Sequence, residues 1–337
     1  MGSEEKVGAR SGNPVIASAT FSSDPGARRR VDGVLLLDKP PGITSTAALA
    51  RTKRLFNAEK AGHTGTLDPL ASGLLPICFG SATRFSQFLL DADKRYRASV
   101  RFGTTTTTQD GEGDVVAVAP ITFARDDLER VLRSFTGRIR QTPPAHSALK
   151  FEGRPHYEYA RRGIDVPRPP RDVEIRALDL LDWQPPDALL DVTCSKGTYI
   201  RALAADLGEA LGCGAHLAAL RRTASGGFDV ANGVTLAALE AMDTRERDTH
   251  LAPARVLVAH LPRLDLAAAA AARFRQGVSV PAQGLPDGPA AVFDGDELIG
   301  VADIGTGIAR PRRTIATPPG RFAAPRASDR VGPLERG

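Results

Sequence analysis

One stretch gathers more chemically able side chains than any other: Gly62-His63-Thr64-Gly65-Thr66-Leu67-Asp68-Pro69-Leu70-Ala71-Ser72-Gly73. Its glycines punctuate a loop that holds one imidazole and one carboxylate. A carboxylate held in a loop can act as general acid, general base or nucleophile. The same residues allow a plainer reading, in which Asp68 caps a helix that begins at Pro69 and His63 is an ordinary loop residue. The stretch is not a phosphate-binding P-loop, because G-x-x-x-x-G-K-[ST] does not occur. Metal chemistry finds no support elsewhere. Cys78, Cys194 and Cys213 lie far apart with no C-x-x-C pair, and the six histidines show neither H-E-x-x-H nor metal-finger spacing. No zinc site is expected.

These side chains must be positioned by the elements around them. Val34-Leu35-Leu36-Leu37 is a short apolar run ended by Asp38-Lys39-Pro40-Pro41-Gly42, which reads as a buried strand entering a tight turn. A helix over Ala47 to Phe56 should follow, capped by Thr44 or Ser45. Tyr96 to Phe102 alternates as a strand, Thr104 to Gly113 reads as a polar loop, and Asp126 to Phe135 as an amphipathic helix. Val173 to Trp183, Ala188 to Cys194 and Leu217 to Arg222 read as strands, and Tyr199 to Leu211 as a helix. This alternation describes a mixed α/β domain. An alanine-rich helix, Leu266 to Arg275, then precedes short strands near Val278, at Ala291-Val292-Phe293 and at Leu298-Ile299-Gly300-Val301, separated by Pro-Gly and Asp-Gly turns. That is the pattern of a small separate β unit.

Composition bounds the answer from outside. A chain of 337 residues exceeds what one hydrophobic core usually organises, so two domains are expected. Its hydrophobic share of 42% and charged share of 25% are those of an ordinary globular protein. The formal net charge is +5, and only seven of the 44 basic residues are lysines. The planar guanidinium fork binds phosphate oxygens bidentately and stacks on bases, so this balance suits RNA, although an arginine-rich genome would produce it as well. No apolar run is long enough to span a membrane and no signal-peptide stretch opens the chain, so a cytoplasmic protein is expected. Residues 1–30 and 310–337 are expected to be disordered tails, the first with the run Arg28-Arg29-Arg30 as a solvated charge. Between them lie a catalytic domain over 31–260 and a small module over 264–309.

The loop around Asp68 reproduces the G-H-x-G-x-L-D-P-x-A-x-G signature of the TruB family of pseudouridine synthases. Gly33 to Ser45 resembles that family's N-terminal motif, and Asp93-Lys94-Arg95-Tyr96 its strand with the active-site tyrosine. Pro143 to Lys150 with Tyr157 to Arg161 resembles the next block. Cys194 to Arg201 and Leu220-Arg221-Arg222-Thr223 resemble the last two. Order and spacing agree from Gly33 to Phe228. The 264–309 module resembles a PUA-like RNA-binding β domain more loosely, and a bare stability appendage would read similarly. His146 stands where the family more often has Tyr or Phe.

The resemblance implies an α+β fold centred on a mixed, largely antiparallel sheet, with the T-arm and elbow of tRNA across a basic cleft. It implies isomerisation of uridine 55 in the T-loop to pseudouridine without a cofactor, a metal, a membrane or a protein partner. Asp68 would be the catalytic carboxylate and Arg201 its partner, keeping it ionised. Tyr96 would be the platform for an extruded base, and its hydroxyl would take the ribose proton if the reaction passes through a glycal intermediate rather than direct attack by Asp68. Tyr199 and Leu220 would line the uracil pocket, His63 would fill space left by displaced loop bases, and Lys39 with Pro40 would shape the pocket floor. Two rivals stand beside this reading. One is a tRNA-binding or folding chaperone without turnover, which the intact Asp68, Tyr96 and Arg201 set argues against. The other is a nucleoside hydrolase, which the arginine-rich surface disfavours.

Overall fold

The computed structural model describes residues 28–315. A large sheet of eleven strands organises the first part of the chain. Along its main path the order is Val234–Thr235, Gly33–Lys39, Ser72–Phe79, Ala215–Ser225, Lys94–Phe102, Asp187–Cys194, Arg171–Gln184 and Gly137–Gln141. Gly33–Lys39 lies parallel to Val234–Thr235, and Ser72–Phe79 parallel to Ala215–Ser225; the other main-path neighbours are antiparallel. The sheet is thus mixed and largely antiparallel, as the resemblance implied. Its apolar residues share one core with the helices Ser45–Leu55, Arg125–Ser134 and Ile200–Ala210.

Local chemistry explains the elements nearest the motifs. Thr44 caps the first helix by accepting from the Ala47 N–H at 3.0 Å. Ser45 is freed for another task, its hydroxyl bridging the backbone N–H and C=O of Leu67 at 2.8 and 2.9 Å. The apolar run Leu74 to Phe79 forms a central strand buried on both faces.

A second sheet, ordered Arg263–Asp265, Gly288–Asp294, Glu297–Gly305, Ile308–Thr314 and Val280–Pro281, closes around the helix Ala268–Arg275. Its inner face has a core of its own around Phe274, Val292 and Ile299. A further apolar cluster joins Ala291, Phe293, Leu298 and Val301 of this sheet to Val34 and Cys78 of the large one and to Phe85 and Leu89 in and before the short helix Ser86–Leu90. The two sheets are packed together through this cluster.

Several expectations need correction. No helix starts at Pro69; residues 64–71 form a loop and the chain passes straight into Ser72–Phe79. Asp68 is therefore not a helix cap, and its backbone carbonyl accepts from Ala71 in a turn instead. The polar stretch Thr104 to Gly113 is half a hairpin, with Thr104–Thr106 pairing with Val115–Val118. The strand expected near Val278 is Val280–Pro281. The last strand runs to Thr314, so the small unit extends past residue 309 and residues 310–315 are no tail. Arg29 is no solvated charge: its side chain pairs with Asp248 at 2.5 Å and is largely buried. The expected tails over 1–27 and 316–337 lie outside the described residues.

Candidate active site

The loop that carries Asp68 is fastened at nearly every residue. Thr64 donates to the Pro76 carbonyl at 3.1 Å, Leu67 is held on both sides by Ser45, and the Pro69 carbonyl accepts from Gly42 at 2.8 Å. At its end, Gly73 has φ +98°, and a Cβ there would meet the Arg222 carbonyl at 2.2 Å, so only glycine lets the loop close onto that strand. The turn beneath is tied by Lys39, whose Nζ donates to the Pro40 and Ile43 carbonyls at 2.9 and 2.7 Å. Lys39 is fully buried, and burial pushes its ammonium down to about 8. It is a structural cation under the loop.

Arg201 gathers four segments of chain. It sits in the first turn of the helix Ile200–Ala210, whose preceding residue, Tyr199, is held by Gln141. That amide accepts from the Tyr199 N–H at 2.8 Å and donates to its carbonyl at 3.0 Å. The guanidinium is buried, donates to the carbonyls of Thr108 at 3.2 Å and His146 at 2.8 Å, and meets two carboxylates. Its Nε lies 3.0 Å from Asp68 Oδ2 and its Nη1 lies 3.4 Å from Asp110 Oδ2. The Asp68 contact is one of charge, because the Nε–H does not point along a hydrogen bond.

The Asp68 side chain remains 41% accessible while Arg201 is 6% accessible, so the carboxylate is the exposed member of the pair and the guanidinium the buried one. Partial burial raises the pKa of Asp68 above the ordinary carboxylate value, Arg201 opposes the rise, and Asp110 adds to it. The expectation that Arg201 favours the charged form holds for its own effect; burial outweighs it. Glu112, also near, is raised by burial and by the same two carboxylates.

Tyr96 lies on the strand Lys94–Phe102, opposite Arg222 on one side and Val192 on the other. Cross-strand partners and residues two apart share a sheet face, so Tyr96, Arg222, Ala98 and Leu220 point the same way. The phenol is buried and its pKa is raised by that burial, with Arg222 pulling it back. Leu220 is half-buried against the large core. His63 lies on the short strand Ala61–His63, paired to Ser72–Phe79, and burial, with Arg222 nearby, lowers its pKa. The Tyr199 ring lies under the Arg171 guanidinium, 4.8 Å from its centroid. Asp68 and Arg201 are thus in direct contact, and Tyr96, Lys39 and His63 are tied to them through charge and shared loops. Tyr199 stands at the helix start beside them.

Four residues escaped the sequence reading. Asp110 was hidden in a polar loop, where it is buried and accepts from the Thr108 hydroxyl at 2.5 Å and the Glu112 N–H at 3.1 Å. Gln141 holds backbone and carries no motif signal, and Ser45, read only as a possible cap at the end of the N-terminal motif, holds Leu67. Arg222 carried one: two adjacent arginines inside a strand must face opposite sides. Arg221 faces outward to Asp38, at 3.0 and 2.7 Å, so Arg222 faces in.

Among the described residues no cluster of three or more His, Cys, Asp or Glu could hold a metal ion. No helix there is long and apolar enough to cross a membrane. A hollow of about 400 Å³ at the sheet edge, lined by Arg138, Arg140, Asp172 and Glu174, includes none of the residues above.

Comparison with known proteins adds independent findings. The family model described as the N-terminal domain of TruB family pseudouridylate synthase matches residues 53–200, and one described as the tRNA pseudouridylate synthase B C-terminal domain matches residues 201–261. A tRNA pseudouridine synthase B of Thiobacillus denitrificans is 57% identical over 292 residues, covering 86% of this chain and 98% of that protein. One from Azoarcus is 54% identical over 294 residues, covering 87% and 98%. Among solved structures, a Cbf5-Nop10-Gar1 complex matches with a TM-score of 0.66 at 30% identity, covering 88% of this chain and 92% of that one. An H/ACA RNP bound to a substrate RNA containing 2′-deoxyuridine matches with a TM-score of 0.64 at 29% identity, covering 85% of each.

Proposed function

Because the chain belongs to the TruB family and forms pseudouridine in tRNA, we propose that its target is uridine 55 of the T-loop, with Asp68, Arg201 and Tyr96 carrying the reaction. The observation that supports this most is the Asp68–Arg201 contact, in which a partly exposed carboxylate meets a buried guanidinium, with a buried tyrosine on the large sheet. The reaction breaks the bond between ribose C1′ and uracil N1 and forms one from C1′ to C5. The C5 hydrogen leaves as a proton and N1 gains one, so atoms and electrons balance without a redox partner.

The residues divide that work by chemistry. A T-loop base must leave its stack to reach a cleft, and the flat face of Tyr96 with Leu220 and Tyr199 receives it. Asp68 is partly exposed, and its carboxylate serves at the sugar carbon as one does in retaining glycosidases. Arg201 keeps that carboxylate charged and aimed. The Tyr96 hydroxyl is placed to take and return a ribose proton. His63 fills space next to the extruded base, and Lys39 holds the turn under the loop. The second sheet acts as a PUA-like RNA-binding unit, with Arg310, Arg312 and Arg313 exposed along its Ile308–Thr314 strand. The setting for this work is the cytoplasm.

The experiment is tritium release from tRNA labelled at uracil C5. Asp68→Asn keeps the size of the side chain and removes its charge, so release should cease while the variant still retains tRNA on a filter. Release near the parent's rate would remove Asp68 from the chemistry and favour a tRNA-binding chaperone.

A further inference from the structure

Arg222 is fully buried, yet no carboxylate pairs with it among the described residues. An arginine without a counter-ion in a protein interior is costly and calls for a reason. Its Nε donates to the Leu74 carbonyl at 2.6 Å and its Nη2 to the Gly65 carbonyl at 3.0 Å. Those carbonyls stand on either side of Asp68, one before the loop's bend and one just after the loop ends. The backbone of residue 222 presses on Gly73 at the same place. In the sheet, Arg222 is the cross-strand partner of Tyr96 and shares its face.

From this placement we propose that Arg222 is a positioning residue for the reaction: its fork clamps both ends of the Asp68 loop while its side chain backs Tyr96, fixing carboxylate and phenol relative to each other. Lysine cannot replace it without loss. A point charge on a flexible stem reaches one carbonyl well but does not hold two in a fixed fork. Arg222 touches neither the base nor the ribose; it acts through the two residues that do. The inference rests on the assignment of Asp68 and Tyr96 above.

The test compares Arg222→Lys and Arg222→Gln in the full chain, measuring single-turnover tritium release, tRNA Kd and melting temperature, with Asp68→Asn and Tyr96→Phe alongside. Misplacing reacting groups by about 1 Å costs on the order of 100-fold in rate. The expected result is therefore a loss of about 100-fold for Arg222→Gln and a smaller loss for Arg222→Lys, with Kd within about 2-fold of the parent. Joining Arg222→Lys to Tyr96→Phe should cost less than the product of the two single losses, because both act on one arrangement. A lower melting temperature with the parent's rate, a rate loss matched by Kd, or loss of the fold in both variants would make Arg222 a structural brace and overturn the proposal. If Asp68→Asn and Tyr96→Phe instead keep the parent's rate, it is the assignment of the site that fails.

Discussion

The two sheets treat charge in opposite ways. In the large sheet and the helix Ile200–Ala210 packed on it, Lys39, Lys94, Arg222 and Arg201 are all buried, and backbone carbonyls hold most of their donors: Lys94 alone gives its ammonium to the carbonyls of Leu89, Leu90 and Ala92. In the small sheet the arginines lie outside. Arg263 pairs with Asp265 at 2.7 Å while both side chains are about half exposed, and Arg312 pairs with Asp303 at 3.4 Å in similar exposure. Exposed pairs contribute little to stability, whereas buried cations are expensive and persist where something depends on their position. The comparison divides the molecule into a region that buries charge around Asp68 and one that leaves charge at the surface.

The largest effect should come from breaking the first half of that comparison. Arg201→Lys keeps a charge but cannot reach Asp68, Asp110 and two carbonyls together, so single-turnover release should fall by about 100-fold or more. Arg263→Lys, on the other sheet, should leave the rate within about 2-fold. Equal losses would erase the distinction.

The apolar cluster shared by the sheets sharpens it differently. Leu298→Ala should cost about 2–5 kcal/mol by leaving a cavity between the sheets, seen as a lower melting temperature in one transition. The saturated rate well below that temperature should hold. Two separate transitions would mean that the shared cluster does not couple the sheets.

Display of charge makes a smaller effect. Replacing Arg310, Arg312 and Arg313 together by alanine should weaken tRNA binding by about 10-fold at moderate salt and flatten the dependence of log Kd on log salt by about two. The rate at saturating tRNA should not change, since binding is lost without contacts to the reacting atoms. An unchanged salt slope would place the tRNA elsewhere.

The smallest expected effect concerns pH. Burial and Asp110 raise the pKa of Asp68, and the reaction needs the ionised form, so the rate should fall as pH drops through a value above the ordinary carboxylate range. Asp110→Asn removes one cause of the rise, so the acidic limb should move to lower pH. A limb that moves up would show that Asp110 acts mainly by holding Arg201.

What the sequence made legible follows the same division. Periodicity is plain in Arg171–Gln184 and Asp187–Cys194, because each alternates between buried and more exposed residues. Ser72–Phe79 gives no such alternation, being buried on both sides, and Asp68-Pro69 just before it imitates a helix start. The Asp68 loop, Tyr96 and Arg201 came from the family signature; periodicity alone would have left them structural. Asp110 sits in Thr106-Thr107-Thr108-Gln109-Asp110-Gly111, a run that reads as solvent-exposed because its polar groups are satisfied only by folding back on themselves and on Arg201. The shared cluster was invisible for a related reason: Ala291, Phe293, Leu298 and Val301 look like ordinary strand residues until a second sheet covers them.

The most direct test of the account is made in cells. tRNA from cells lacking this protein, mapped for pseudouridine nucleotide by nucleotide, should carry unmodified uridine at position 55, and the parent chain should restore the modification while Asp68→Asn does not. Pseudouridine persisting there without the protein, or restored by Asp68→Asn, would contradict it.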